Sequence, residues 1–358
     1  MLSGTAQPTG SDQGARPVPG NNFNALRLLF ALMVVAYHAA VLPGIDAWKQ
    51  AEAPLSLAAE IGVQGFFVLS GYLVFGSLVR SNSLRLYAEK RARRLYPAYA
   101  VVVIACALGA LVFSPEARAN LGGVFHYIIG NISFLNFLQP SLPGVFEMNR
   151  FTEVNGALWT LKIEVMFYLI LPALAWMLRV AGRYRWALVV LIYVGAEVWR
   201  IGLEQAGRAD PSSPFLELSR QLPGQLGFFI TGIAFALLNL TGRNLDRAGL
   251  AGAVLLALSL FLPLAEPLRA LGLGAVAVWA ATGAARIPDA AKFGDLSYGV
   301  YIVHFPIIQT VAALGLYTAM PWGGLAATAV LVIGASLLLW HLVERPSLRA
   351  DSAYRAAS

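Results

Sequence analysis

The stretch NALRLLFALMVVAYHAAVL, residues 24–42, decides the fold of this protein. It is a mostly apolar run that is interrupted by Arg27 and His38. A helix rises about 1.5 Å and turns about 100° per residue, so roughly 16 Å and three turns separate these two residues, and both side chains lie near one helix face. Ionisable groups within a membrane helix are candidates for function. A snorkelling arginine and a hydrogen-bonded core histidine are the ordinary alternatives.

The composition of the whole chain is that of a membrane protein. Of the 358 residues, 58% are hydrophobic and 13% are charged, whereas about 25% of the residues in a soluble domain are charged. Hydropathy predicts an all-α fold, a polytopic membrane helical bundle of about ten transmembrane helices. The predicted spans are residues 24–42, 61–79, 97–113, 158–178, 186–200, 222–240, 249–264, 268–283, 296–316 and 323–341.

Three regions are predicted along the chain. Residues 1–23 are rich in Gly, Pro and Ser and are expected to form a disordered tail and not a signal peptide. Residues 24–345 form the membrane domain, and residues 346–358 form a C-terminal tail. Ten crossings place both termini on one side, where the basic residues outside the spans are concentrated, so the positive-inside rule places the termini in the cytoplasm. The net charge of +7 is therefore attributed to orientation and lipid contact, and no nucleic-acid partner is predicted.

Two further segments carry charges next to or within a span. The basic run at residues 85–94 precedes the third span, and it either anchors the helix at the lipid headgroups or binds a phosphorylated ligand. The fourth span contains Glu164, which either orients His38, pairs with Arg27, or forms a structural ion pair between helices. Residues two apart on a helix do not face each other, so the nearby Lys162 is not expected to be its partner.

The ninth predicted span has a polar stripe. Ser297, Tyr301 and His304 fall on one helix face. Pro306 follows them, and it is expected to kink the helix and to free a backbone carbonyl, because proline has no N–H to donate. A hydrogen-bonded packing stripe is the alternative to a binding role for these residues.

Two common kinds of site have little support. The sequence has no His-x-x-x-His, no Glu-x-x-His and no cysteine cluster, so no metal site is predicted. It also lacks the Gly-x-Ser-x-Gly elbow of Ser-His-Asp hydrolases, and its one cysteine, Cys106, lies in an apolar run. What remains is a single activated histidine that accepts a proton from a hydroxyl, with a nearby carboxylate or arginine setting its tautomer.

Five segments, in order, carry a resemblance to a known family. They are the Arg27 to His38 spacing, GVQGFFVLSGYL at 62–73, RARRLYPAY at 91–99, WTLKIEVMFY at 159–168 and SYGVYIVHFP at 297–306. Together they resemble the integral-membrane acyltransferase family 3, whose members transfer acyl groups, often acetyl from acetyl-CoA, to sugars of surface polysaccharides. The chain resembles the stand-alone form of this family. It departs from the pattern at Gln64 and Val165, where acidic residues are frequent, and at Lys162, where a small residue is usual.

The resemblance implies an O-acetyltransferase of the bacterial inner membrane, with acetyl-CoA as acyl donor and a glycan or glycolipid as acceptor. His38 is expected to be the general base, tuned by Glu164 or Arg27. Contacts with the donor are expected from Arg91, Arg93, Arg94 and Tyr96. Contacts with the acceptor are expected from Ser70, Trp159, Tyr298, Tyr301 and His304. Two alternatives stay open, namely a transporter or flippase of a lipid-linked glycan and an acyltransferase that acts on a small-molecule glycoside.

Overall fold

The protein is a bundle of helices. The computed structural model describes residues 22–81, 83–283, 294–349 and 352. Within these residues all regular secondary structure is helical. The α-helices are α1 (Phe23–Val41), α2 (Lys49–Val79), α3 (Leu84–Phe113), α4 (Pro115–Ala119), α5 (Leu121–Ile132), α6 (Trp159–Val180), α7 (Arg185–Ala209), α8 (Phe215–Ser219), α9 (Leu222–Leu238), α10 (Gly242–Phe261), α11 (Arg269–Thr282), α12 (Ser297–Ala313), α13 (Leu316–Ala319), α14 (Pro321–Leu339) and α15 (Arg345–Ser347). A π-helical turn, Trp340–Glu344, joins α14 to α15.

The expected membrane architecture is confirmed. Among the described residues, nine helical segments are long and apolar enough to cross a membrane. The helix α12 occupies the ninth predicted span but has 17 residues. Each of the predicted spans therefore contains a helix. A helix suits lipid because its backbone hydrogen bonds are made within the segment, where water cannot make them.

Two helices begin well before the predicted spans. The helix α2 begins at Lys49 and not at residue 61, and α3 begins at Leu84 and not at residue 97. Hydropathy detects only the apolar part of such helices, whereas Leu, Arg, Lys and Ala are all good helix formers. The Ser83 side chain accepts a hydrogen bond from the Leu86 N–H at 3.1 Å and caps α3. The basic run at 85–94 consequently forms the first turns of α3.

The apolar residues 124–138, between α3 and α6, predict an interfacial or re-entrant helix. The helix α5 covers Leu121–Ile132 in this segment. Tyr127 and Asn131 face the core. The Tyr99 hydroxyl of α3 donates a hydrogen bond to the Asn131 carbonyl at 2.7 Å. These contacts fix α5 against α3.

The helices α1 and α12 lie side by side and run in the same direction. Near their first residues, the Arg27 guanidinium lies 3.5 Å from the Asp295 carboxylate. Eleven residues later on α1, His38 meets His304 of α12. We call the two ends of the bundle the Arg27 end and the Gln309 end, after residues near either end of this helix pair.

The helices α2 and α9 cross in backbone contact. A Cβ atom on Gly71 would lie 2.1 Å from the Phe229 carbonyl oxygen, and one on Gly232 would lie 2.1 Å from the Val68 carbonyl oxygen. Small residues allow membrane helices to approach this closely. A larger residue at either glycine would force the two helices apart.

A buried ionic network joins α2, α7 and α11. Arg200 has a side-chain exposure of 1% and pairs with Glu197 at 2.6 Å, with Glu266 at 3.0 Å and with Glu204 at 3.3 Å. Arg269 pairs with Glu60 at 2.7 Å. This network contains four carboxylates and two arginines.

Candidate active site

His38 and His304 form a hydrogen-bonded pair at the centre of the candidate site. His38 Nδ1 lies 2.8 Å from His304 Nε2. The two rings are 5.0 Å apart between centroids and are inclined by 23°. His304 is fully buried, whereas His38 retains partial exposure. The hydrogen-bond partner of His38 is thus a second histidine, His304, which was predicted from the sequence to contact the acceptor.

The surrounding hydrogen bonds assign the tautomers of both neutral rings. His304 Nδ1 lies 3.2 Å from the Val300 carbonyl oxygen. A carbonyl only accepts, so His304 Nδ1 carries the hydrogen and His304 Nε2 has the free lone pair. His38 Nδ1 must then donate its hydrogen to His304. His38 Nε2 is left with a lone pair that can accept a proton.

The freed carbonyl that Pro306 predicts is present and has a partner. The Asn155 side-chain amide donates to the Ile302 carbonyl at 2.8 Å, in place of the missing proline N–H. One residue further on, Gly156 packs on the Phe305 ring, where a Cβ atom would lie 2.9 Å from the ring. Phe305 in turn packs edge-on against His38, with 5.1 Å between the ring centroids. The segment before α6 therefore holds α12 in place next to His38.

The same segment is hydrogen-bonded to three helices at the Gln309 end. Gln309 is fully buried, and its amide donates to the carbonyls of Phe151 and Glu153 at 2.7 and 2.9 Å. Arg150 donates to the Val41 carbonyl at 3.0 Å and pairs with Glu52 at 2.7 Å. These bonds join the loop before α6 to α12, to the last residue of α1 and to the start of α2.

A cavity with about 770 Å³ of empty space, which includes space open to the outside, lies between the Arg27 end and the histidine pair. It extends from Arg27, Arg91 and Arg94 to Thr160 and Tyr301. Among its described lining residues, Tyr301 is the nearest to His304 along α12. The other lining residues are Val63, Phe66, Phe67, Leu69, Ser70, Val74, Leu95, Leu161, Glu164, Tyr168, Ser297 and Tyr298.

Glu164 lies in the wall of this cavity. It accepts a hydrogen bond from the Ser70 hydroxyl at 3.3 Å and a short one from the Tyr168 hydroxyl. The Tyr87 hydroxyl fixes this part of α6 by donating to the Tyr168 carbonyl at 3.0 Å. The structure therefore brings Glu164 together with Ser70, and it places His304 at His38.

Arg27 and Arg94 belong to an ionic cluster at the Arg27 end. Arg94 donates to Asp295 at 2.6 Å and to Glu344 at 2.7 Å, while Arg27 lies 3.5 Å from Asp295. The Arg94 guanidinium also lies over the Tyr298 ring, 5.4 Å from its centroid. Burial alone would raise the pKa of Asp295, but Arg94 and Arg27 outweigh it and hold that pKa below its usual value.

The other predicted donor contacts have different surroundings. Arg91 lines the cavity, lies 3.5 Å from the Ser77 hydroxyl and faces the Tyr168 ring at 5.9 Å. Its buried Nε atom has no hydrogen-bond partner among the described residues. Arg93 is half exposed and pairs with Glu89 at 2.9 Å. Tyr96 is exposed and packs near Phe134, with 6.3 Å between the ring centroids.

The predicted acceptor contacts also lie in different surroundings. Ser70, Tyr298 and Tyr301 line the cavity. The Tyr298 hydroxyl donates to the Leu95 carbonyl at 2.8 Å. Trp159 packs against the apolar core that contains residues of α6, α7, α9 and α11.

Sequence reasoning missed Asp295, Glu344 and Asn155. Asp295 directly precedes the ninth predicted span, and Glu344 follows the last one by three residues. Both therefore lie at the same membrane edge as the basic run at 85–94, and carboxylates at that edge were the signal that could have identified them. The signal for Asn155 was Pro306, because a freed carbonyl in an apolar helix needs a donor from elsewhere.

Comparison with known proteins identifies the family of this bundle. The family described as "Acyltransferase domain" matches residues 21–341. Nodulation protein 10 of Rhizobium leguminosarum bv. viciae is 26% identical over 92% of this chain and 93% of its own length. The O-acetyl transferase of Shigella phage Sf6 is 28% identical over 93% and 97%. Peptidoglycan O-acetyltransferase OatA of Listeria monocytogenes is 27% identical over 91% and 55%.

No solved structure matches the chain significantly. The family match covers nearly the whole membrane domain, including α1 and α12 with the histidine pair. The chain therefore belongs to this acyltransferase family, and it is a multi-pass membrane acyltransferase.

Proposed function

We propose that this protein is an O-acetyltransferase that transfers the acetyl group of acetyl-CoA to a hydroxyl of a glycan, with His38 as the general base. The observation that carries this proposal is the hydrogen bond of 2.8 Å between His38 Nδ1 and His304 Nε2. It commits the hydrogen of neutral His38 to Nδ1 and leaves Nε2 as the proton acceptor.

The donor binds in the cavity and enters it from the Arg27 end. The charged residues there and the apolar residues further in suit a ligand with a phosphorylated head and an uncharged acyl-bearing arm. Arg91 is the residue that binds phosphate, since guanidinium groups match phosphate oxygens and its Nε has no partner among the described residues. Arg94 positions the site through Asp295 and Glu344. The Arg27 end faces the cytoplasm, in agreement with the basic residues that the positive-inside rule places there.

In the reaction, His38 Nε2 takes the proton of the acceptor hydroxyl while the hydroxyl oxygen attacks the thioester carbon. The bond between that carbon and sulfur then breaks, and the proton passes from His38 to the departing thiolate. His304 accepts the Nδ1 hydrogen throughout, so it orients the His38 ring and stabilises the charge that the ring gains. General-base assistance of this kind contributes about 10²–10⁴-fold to the rate.

The acceptor is a glycan hydroxyl that reaches His38 from the Gln309 end. Two similar proteins bear names that support this, a peptidoglycan O-acetyltransferase and an O-acetyl transferase. The membrane is the bacterial inner membrane, and both termini lie in the cytoplasm, with the distribution of basic loop residues as support.

The test is transfer of radiolabel from [¹⁴C]acetyl-CoA to the glycan fraction of bacterial membranes that contain the expressed protein. Wild type should label the glycan, and His38→Ala should lower the rate by about 10²-fold or more. His126→Ala is the matched control, because His126 is exposed on α5 and lies outside the cavity lining. Absence of label with wild type would refute the proposed transfer from acetyl-CoA to a glycan. Full activity of His38→Ala would refute the role of His38 as base.

A further inference from the structure

The cavity stops one side chain short of the histidine pair. On α12 its lining includes Ser297, Tyr298 and Tyr301. Tyr301 precedes His304 by three residues, which is about 4.5 Å of helix rise. The centroids of these two rings are 5.8 Å apart. The material between the end of the cavity and His304 is therefore about one ring thick.

Tyr301 is held in place from several sides. Its hydroxyl lies 2.7 Å from the Thr160 hydroxyl, which donates to the Ala157 carbonyl at 3.1 Å. The Phe66 ring packs edge-on against the Tyr301 ring, with 5.7 Å between centroids. Tyr301 is 5% exposed, so it has little room to turn aside. We call Phe66 and Tyr301 together the aromatic wall.

Phe66 has its own support from α1. It packs edge-on against Phe30, with 5.9 Å between the ring centroids. Phe30 lies over Gly65, where a Cβ atom would be 2.5 Å from the ring. The close approach of α1 to α2 at this glycine thus fixes Phe30, which in turn holds Phe66 against Tyr301.

We propose that the aromatic wall sets the length of the acyl group, so that the enzyme accepts acetyl donors and rejects longer ones. This inference rests on the proposed function, since it assumes that the donor occupies the cavity. The acyl group of such a donor ends against Phe66 and Tyr301. The rings fill the space between the end of the cavity and the histidine pair, so each methylene added to the acyl group must displace a ring. One methylene in a hydrophobic pocket alters discrimination by about 10–200-fold.

The experiment measures kcat/KM for acetyl-, butyryl- and hexanoyl-CoA with the full chain in membranes, as label transferred to the glycan fraction. Wild type should prefer acetyl to butyryl by about tenfold or more, and Phe66→Ala should raise the ratio of butyryl to acetyl by about tenfold. Phe66→Leu, which keeps more apolar volume, should shift the ratio in the same direction and serves if the alanine variant does not fold. Tyr301→Phe keeps the ring and should keep the preference for acetyl.

Phe75→Leu is the matched control, because Phe75 is a buried phenylalanine of the same helix, α2, and does not appear among the cavity-lining residues. It should leave the ratio unchanged. Equal use of all three donors by wild type would refute the proposal that the aromatic wall limits the acyl length, but it would leave the acyltransferase function intact. The proposal is also refuted if both Phe66 variants lose activity in parallel for every donor. It is refuted as well if Phe75→Leu shifts the ratio of butyryl to acetyl transfer as much as the Phe66 variants do. No transfer from any donor by wild type would instead refute the proposed function.

Discussion

At the scale of single residues, the main result is that the candidate base does not act alone. The spacing of Arg27 and His38 identified the helix and the histidine, but the group that orients His38 lies on α12. His304 is suited to this role because Val300 holds its tautomer through Nδ1. A carboxylate would hold the Nδ1 hydrogen of His38 in the same way but would add a charge to a buried site, which is costly in lipid.

Replacement of His304 tests this pairing. His304→Leu should lower kcat by about 10²-fold and leave the KM for acetyl-CoA unchanged, because only the orientation of the base is lost. His304→Gln should retain more activity, since the amide oxygen can accept the His38 hydrogen. Steady-state kinetics of both variants provide the measurement. Equal losses in the two variants would indicate a packing role instead.

Replacement of Arg91 tests the binding of the donor phosphates. Loss of a charge-assisted hydrogen bond is worth about 1.5–3 kcal/mol, so Arg91→Ala should raise the KM for acetyl-CoA by about tenfold with little change in kcat. Arg93→Ala is the matched control, because Arg93 is half exposed and pairs with Glu89. An unchanged KM in Arg91→Ala, or an equal rise in Arg93→Ala, would place the phosphates elsewhere.

At the scale of elements, the irregular parts of the helices have specific partners. Pro306 frees the Ile302 carbonyl within α12, and Asn155 replaces the lost bond. The π-helical turn after α14 ends at Glu344, which meets Arg94 of α3. Such turns are frequent at functional sites. In both places, a break in a helix provides a contact with another element.

A double-mutant cycle tests the contact at Pro306. Asn155→Ala should destabilise the protein by about 1–3 kcal/mol, since it leaves the Ile302 carbonyl buried without a partner. In a Pro306→Ala background the alanine N–H can complete the helix, so the same change should cost much less. Unfolding in detergent measures both effects. Equal costs in the two backgrounds would disprove the compensation.

The ionic cluster at the Arg27 end predicts a dependence on pH. The pKa of Asp295 is lower in the folded state, so its contribution to stability is full above the unfolded-state pKa of about 3.9 and is lost as the pH falls through the folded-state value. Asp295→Asn should therefore cost about 3 kcal/mol at pH 7, and the difference from wild type should shrink below about pH 4. Asp46→Asn is the control, because Asp46 is exposed and pairs with Lys49. A difference that stays constant with pH would contradict this account.

At the scale of the whole molecule, two apolar cores meet at α1 and α2. The core with His304 contains residues of α3, α5 and α12, and the other core contains residues of α6, α7, α9 and α11. The cavity lies between them, lined by residues of α1, α2, α3, α6 and α12. The network around Arg200 holds the second core together at a distance from the histidines.

Removal of Arg200 tests that network. Arg200→Met should destabilise the protein by about 3–5 kcal/mol, because it leaves Glu197, Glu204 and Glu266 without their shared cation. Arg208→Met on the same helix should cost less than about 1 kcal/mol, since Arg208 is exposed. The KM for acetyl-CoA should not change in folded protein of either variant. A similar small loss in both would show that the network contributes little.

The helices could be predicted from the sequence because lipid imposes a local rule on each apolar segment. The contacts between helices could not, since they depend on how the segments pack. Glu197 and Arg200 are three residues apart and their pairing is readable from the sequence, whereas Glu60 and Arg269 are not. His38 and His304 were both identified, but only the packing of α1 on α12 makes them partners.

The backbone contact of α2 with α9 has a consequence for how this enzyme measures its donor. Gly71 and Gly232 bring the backbones of the two helices into direct contact, and Phe66 lies little more than one helical turn from Gly71 on α2. The helix α2, which carries Phe66 of the aromatic wall, is therefore held in place by α9. The two rings that limit the length of the acyl group are therefore in position before the donor binds, and the donor does not induce a closure to form this limit.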